Sequence, residues 1–116
     1  MEAATAGFEG MTFHLAVNYG SRLEIATAAR RCVEEGLGPE DVTEEALAAR
    51  MWTAGVPDVD FLIRTSGEHR LSNFMLWQCA YAELYLTDLF WPDFRTSQLH
   101  EALEAYAQRD RRFGGL

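Results

Sequence analysis

No lysine occurs in this chain of 116 residues; all ten cations are arginine. Schiff-base chemistry at a lysine is therefore excluded. Cysteine is scarce. Cys32 and Cys79 form no CxxC pair, no metal-ligand spacing and no disulfide framework. Both read as buried free thiols of a reducing compartment. No apolar run is long enough to span a bilayer, which leaves at most peripheral membrane association. The acidic opening MEAATAGFEG lacks the apolar stretch of a secretory signal, so the expected location is cytoplasmic. Excess positive charge is missing too. The net charge is −8, and residues 1–60 carry eleven acids against four arginines. No basic face is large enough to neutralise a nucleic-acid backbone, so nucleic acid is not an expected partner. Residues 61–116 hold seven acids and six arginines, and an anionic small ligand would go there.

An apolar content of 48% is ordinary for a packed core, and the length gives one domain or part of one. Residues 1–10 are small and polar, and are expected to be loosely ordered or loosely helical. Phe13–Tyr19 (FHLAVNY) reads as a buried strand closed by Gly20. Ser21 caps a helix to about Glu35, with Leu23, Ala26, Ala29, Arg30 and Val33 near one stripe, and Gly36-Leu37-Gly38-Pro39 stops it. Asp41 with Glu44 resembles a capping box and predicts a second helix to about Thr53. Strands follow at Asp60–Arg64 and Glu83–Thr87, and Ser97 starts a last amphipathic helix with Leu99, Leu103 and Tyr106 in phase. Strands separated by helices predict an α/β fold with a parallel sheet and flanking helices. Three strands are few for such a sheet, and the expectation is a single partial domain.

The stretch from Asp58 to Asp93 carries the chemistry. An apolar run ends on Arg64, a glycine-containing turn carries Arg70, and Ser72 is placed to cap a helix through Phe74, Met75, Leu76 and Trp77. The opening amides of a helix attract anions, guanidinium forks grip phosphate oxygens, and ligands of open α/β sheets sit beyond the strands' carboxyl ends. Arg64, Arg70 and Ser72 are thus candidate donors to a phosphate or diphosphate. Each has a plainer role: Arg64 as the ion-pair partner of Glu68 or Asp60, Ser72 as a simple cap. Glu83 opens the last strand; as a lone acid it reads as a solvated or ion-paired strand end, or as a carboxylate sharing Mg²⁺ with a diphosphate. Asn18-Tyr19-Gly20 reads as a structural turn. His14, His69 and His100 form no ligand cluster. Trp77, Tyr81, Tyr85, Phe90, Trp91 and Phe94 have no interleaved cations and read as core and interface packing.

The run LIRTSGEHRLSNFMLWQCAYAELYLTDLFWPDF resembles the signature region of the cis-prenyltransferases, the undecaprenyl diphosphate synthase family. LAVNYGSR is similar to that family's NYGGR segment, with Ser21 in place of its second glycine, and RDRRFGG is similar to its C-terminal end. The resemblance runs from about Met11 onward and covers the family's C-terminal half only. It implies the C-terminal half of the cis-prenyltransferase fold. It implies that Arg64, Arg70 and Ser72 hold isopentenyl diphosphate, that Glu83 helps place Mg²⁺, and that Arg112 and Gly114 reach the diphosphate site of a partner subunit, with Arg111 assisting. The implied reaction condenses isopentenyl diphosphate onto an allylic diphosphate to build a polyprenyl diphosphate. The family's aspartate motif for the allylic diphosphate has no counterpart here, so no catalytic residue is assigned in this chain and it is expected to be inactive alone. A homodimer or a hetero-partner is implied. The alternatives are a non-catalytic partner subunit, or a diphosphate-binding module, that complements a complete enzyme through its Arg-x-Gly tail.

Overall fold

The computed structural model describes residues 2–109. Its helices are α1 (Glu2–Thr5), α2 (Ser21–Glu34), α3 (Glu44–Ala48) and α4 (Thr96–Ala107), and its strands are β1 (Phe61–Arg64) and β2 (Glu83–Leu86). Short 3₁₀ turns stand at Pro39–Asp41 and Trp91–Asp93. The strands pair in parallel, Phe61 against Glu83 through Arg64 against Leu86. This is the mixed α/β fold with flanking helices that the sequence predicts.

Helix α2 is rich in alanine, arginine and glutamate, all good helix formers. Gly36 ends it at φ 78, where the Gly36 and Leu37 amides return to the Val33 and Cys32 carbonyls. That is the left-handed close that glycine makes cheaply. The buried face differs from the expected stripe. Ser21, Glu24, Ala28 and Cys32 are buried, while Leu23 and Val33 face outward. A polar network, not the apolar residues, sets the helix's rotation. Helix α3 is shorter than expected. Thr43, not Asp41, caps it by accepting from the Ala46 amide at 3.2 Å, because Pro39–Asp41 first takes a 3₁₀ turn. The chain then leaves the helix after Ala48, and Thr53 is committed elsewhere.

Two further expectations fail. Phe13–Tyr19 is not a strand: the segment joins no sheet, and Phe13, Leu15 and Val17 are exposed. A strand needs a neighbour to complete its ladder, and among the described residues none pairs with it. Nor does Ser72 begin a helix. Ser72, Asn73 and Met75 have φ of 49°, 63° and 46°, and residues 72–81 run as successive turns. A capping residue needs extended backbone, which these left-handed angles deny. Tertiary bonds explain the choice. The Ser21 amide donates to the Asn73 carbonyl at 2.9 Å, the Arg22 amide to Asn73 Oδ1 at 2.8 Å, and the Leu76 amide to Ser21 Oγ at 3.0 Å. Asn73 thus serves as the cap of a helix fifty-odd residues upstream, and asparagine is among the residues that tolerate this backbone best.

Helix α4 packs on the sheet through Tyr106, whose ring centre lies 4.8 Å from that of Phe61. The apolar core is small: Ala28, Cys32, Met51, Cys79 and Ala102 are the buried hydrophobic residues described. The radius of gyration is 17.0 Å, against about 13 Å for a compact chain of this length. Cys32 and Cys79 are free and buried, as expected, and burial followed by the Asp58 charge raises the Cys79 thiol above its ordinary value. No helix among the described residues is long and apolar enough to cross a membrane.

Asn73→Ala removes the distant cap and keeps the left-handed backbone, so it is expected to lower stability by about 1–2 kcal/mol. Asn73→Gly loses the cap but relaxes the backbone and is expected to lose less; urea unfolding of the two variants checks the order.

Candidate functional site

β1 delivers Arg64 to the carboxyl end of the sheet, and the loop after it is fastened to the loop after β2. The Thr87 amide donates to the Arg64 carbonyl at 3.0 Å, Ser66 to the Leu89 carbonyl at 2.7 Å, and Gly67 to the Thr87 carbonyl at 3.0 Å. Ser66 and Gly67 both have positive φ, 70° and 64°. A side chain at position 67 would also meet Asp88 Oδ1 at 3.1 Å, so glycine suits it twice over.

Arg64 is half-buried, and its Nε is buried with no hydrogen-bond partner. An orphaned guanidinium N–H costs free energy that an anion recovers. The side chain lines a cavity of about 390 Å³ together with Leu71, Phe74 and Met75, so the loop that carries Arg70 and Ser72 forms one wall of the space beside Arg64. The ion pair considered for Arg64 does not form. Glu68 pairs instead with Arg70 at 2.5 Å, on the exposed side of the loop. Ser72 is exposed and left-handed, so it brings no helix tip to the anion. The structure joins Arg64 to the wall ahead of Ser72; it leaves Arg70 facing Glu68.

Glu83 lies elsewhere. The parallel register sets it opposite Phe61, three residues before Arg64's own partner Leu86, or about 10 Å along the strand. Its Oε2 accepts from Arg109 Nη1 at 2.8 Å. Arg109 belongs to the RDRRFGG tail, and Arg112 and Gly114 lie outside the described residues. No group of three or more His, Cys, Asp or Glu fit to hold a metal occurs among the described residues. Glu83 offers one hard oxygen donor, which suits Mg²⁺ only where phosphate oxygens and water complete the shell.

The sequence reading overlooked Glu24. Its carboxylate is wholly buried and fully engaged. The Tyr19 hydroxyl and Gln78 Nε2 (3.1 Å) donate to Oε2, and the Thr53 amide and hydroxyl both donate to Oε1 at 3.2 Å. Gln78 Nε2 also donates to Thr53 Oγ1 at 2.6 Å, while Gln78 Oε1 is buried and unpartnered. Burial pushes the Glu24 carboxyl upward, but the bonds from Tyr19, Gln78 and Thr53 outweigh it and hold the group below its ordinary value. Tyr19 moves the other way, raised by burial and then by Glu24, and its ring stands edge-on to Trp52 and Phe74. The network ties the turn at Asn18–Gly20, the turn after α3 and the loop before β2 into one junction. The signal in the sequence was an acid in phase with Ala28 and Cys32 on α2.

With that geometry in hand, known proteins supply a context. A family model described as putative undecaprenyl diphosphate synthase matches residues 1–114. An isoprenyl transferase of Geobacillus kaustophilus is 54% identical over 97% of this chain and 45% of its own length. The ditrans,polycis-undecaprenyl-diphosphate synthase ((2E,6E)-farnesyl-diphosphate specific) of Escherichia coli is 48% identical over 98% of this chain and 47% of its own. The crystal structure of lavandulyl diphosphate synthase from Lavandula x intermedia in complex with dimethylallyl diphosphate superposes with a TM-score of 0.90, at 43% identity, over 97% of this chain and 50% of that one. The chain spans about half the length of each of these relatives.

A carboxyl whose folded pKa is depressed adds stability above its unfolded value, about 4.3 for glutamate, and loses it as pH falls through the folded value. The chain is therefore expected to lose stability as pH falls below about 4. Glu24→Gln, which turns an NH₂ toward the donors of Gln78 and Thr53, is expected to be less stable at pH 7 and flatter with pH; thermal melts from pH 3 to 7 check both.

Proposed function

The chain belongs to the undecaprenyl diphosphate synthase family, and from that premise we propose that it carries the acceptor side of a cis-prenyl transfer. Arg64 is the observation that supports this: a guanidinium at a strand's carboxyl end, with a buried unpartnered N–H, walling a 390 Å³ cavity. In this reading Arg64 takes the diphosphate of isopentenyl diphosphate. Arg70 exchanges Glu68 for a second phosphate grip, since its pair is exposed and cheap to break. The Ser72 hydroxyl adds a donor from its side chain alone. The apolar wall of Leu71, Phe74 and Met75 suits the five-carbon tail.

The bound isopentenyl group then attacks the allylic carbon of a second diphosphate. A carbon–carbon bond forms, the allylic carbon–oxygen bond breaks with loss of diphosphate, and a proton leaves to give a cis double bond. The residues described here bind and orient the nucleophile, which is how charged groups around diphosphate chiefly act. Mg²⁺, when bound, neutralises charge on the diphosphates. Glu83 is its proposed holder, which requires Arg109 to release the carboxylate. Arg112 and Gly114 are proposed to reach the diphosphate site of a partner subunit, whether a second copy or a longer relative.

In titration calorimetry with isopentenyl diphosphate and Mg²⁺, Arg64→Ala is expected to weaken binding about tenfold or more, a lost charged hydrogen bond being worth ~1.5–3 kcal/mol. Arg30→Ala, on the exposed side of α2, is expected to leave binding unchanged; equal losses would remove the assignment. The purified chain alone is expected not to incorporate radiolabelled isopentenyl diphosphate into product above a no-protein blank when given farnesyl diphosphate and Mg²⁺.

A further inference from the structure

Gln78 is 4% exposed, and its amide has one tenable orientation. Nε2 donates to Glu24 Oε2 at 3.1 Å and to Thr53 Oγ1 at 2.6 Å. A carboxylate only accepts, so the amide cannot turn its oxygen to Glu24. Oε1 is left buried with no partner, an acceptor in want of a donor. Gln78 also lines a cavity of about 160 Å³ with Ala48, Gly55, Asp58 and Trp77. That is far more than the ~10–15 Å³ one water needs. A neighbouring cavity of about 400 Å³ shares Asp58 and Trp77 and adds Ile25, Glu44, Leu76 and Tyr81. The two meet at Asp58 and Trp77 as one cleft, walled by α2, α3 and the segments before β1 and β2. Among the described residues no arginine or histidine lines it, and neither Asp58 nor Glu44 forms an ion pair.

We propose that this cleft binds an aliphatic diamine: one ammonium between Gln78 Oε1 and the Asp58 carboxylate, the methylene chain along Trp77 and Leu76, the second ammonium at Glu44 and Tyr81. The walls select that chemistry. An orphaned acceptor calls for a donor, and a donor beside a carboxylate gains by carrying positive charge. Aromatic faces hold alkylammonium groups by cation–π attraction. Gln78 lines only the smaller cavity and Glu44 only the larger, with Asp58 and Trp77 common to both. Two acceptor sets parted by an apolar wall match two cations joined by methylenes better than one cation alone. The Asp58 charge reaches inward, since after burial it is what raises the Cys79 thiol. Residues 1–60, with eleven acids against four arginines, add a long-range attraction for cations. Neither Arg64 nor Glu83 lines the cleft, so it stands independently of the diphosphate reading.

The test titrates the nitrogen-15-labelled chain at pH 7 and fixed ionic strength with 1,5-diaminopentane, and in parallel with pentylamine, following the Gln78 side-chain amide and the Trp77 indole by NMR. Saturable shifts of both signals are expected, with the diamine bound about tenfold more tightly than the monoamine. Asp58→Asn, a near-isosteric change at an exposed position, is expected to weaken both amines about tenfold. Glu44→Gln is expected to abolish the diamine's advantage and leave pentylamine unchanged. Glu104→Gln, on the exposed side of α4, is expected to alter neither. Shifts that fail to saturate, or that sodium chloride of equal ionic strength reproduces, overturn the proposal. So do equal affinities for the two amines in the unaltered chain, or binding that Asp58→Asn leaves intact.

Discussion

The loop that precedes β2 is positioned by a hydrogen-bonded junction with the start of α2. Ser21 and Arg22 give their amides to Asn73, Ser21 returns its hydroxyl to the Leu76 amide, and Glu24 accepts from Gln78 one turn further on. The first amides of a helix need acceptors, and here they come from a distant loop rather than from a local cap. That requirement bends Ser72, Asn73 and Met75 into left-handed backbone. The same bend turns Leu71, Phe74 and Met75 toward β1 and builds the wall opposite Arg64. The cavity beside Arg64 is therefore a by-product of how α2 is capped.

A second constraint is electrostatic. Glu24 is the largest fully buried side chain described, and it sits where an apolar residue would ordinarily go. A buried carboxylate is tolerable only with its lone pairs filled. Four donor groups from Tyr19, Thr53 and Gln78 meet that demand, and in doing so bind three segments that share no strand or helix. With only five buried hydrophobic residues described, specificity in this body rests on directed polar bonds more than on packing. Arg64 shows the complementary case: a buried polar atom, its Nε, left without a hydrogen-bond partner.

Much of this was legible in the sequence, and the misses share a cause. The runs at Phe61–Arg64 and Glu83–Leu86 were found because apolar and aromatic residues bounded by turn formers need little context. α2 and α4 were found for their period and stop signals. Ser72 was misread because a serine before apolar residues spaced as in a helix carries the same local pattern whether it caps a helix or enters a turn; only the bonds of Asn73 to α2 decide between them. Phe13–Tyr19 has the composition and alternation of a strand, but strand formation depends on a neighbour. The strand-end pattern singled out Arg64 and the resemblance gave Glu83 its metal role, whereas neither could show that Arg109 would meet Glu83 or that Arg70 would turn to Glu68.

The junction at α2 is most directly tested by scalar coupling across its hydrogen bonds in isotope-labelled protein. A resolved coupling from the Ser21 amide nitrogen to the Asn73 carbonyl carbon, together with slow exchange of that amide, is the result the account predicts. No coupling, with the Ser21 and Arg22 amides exchanging like those of a helix end open to water, would contradict it.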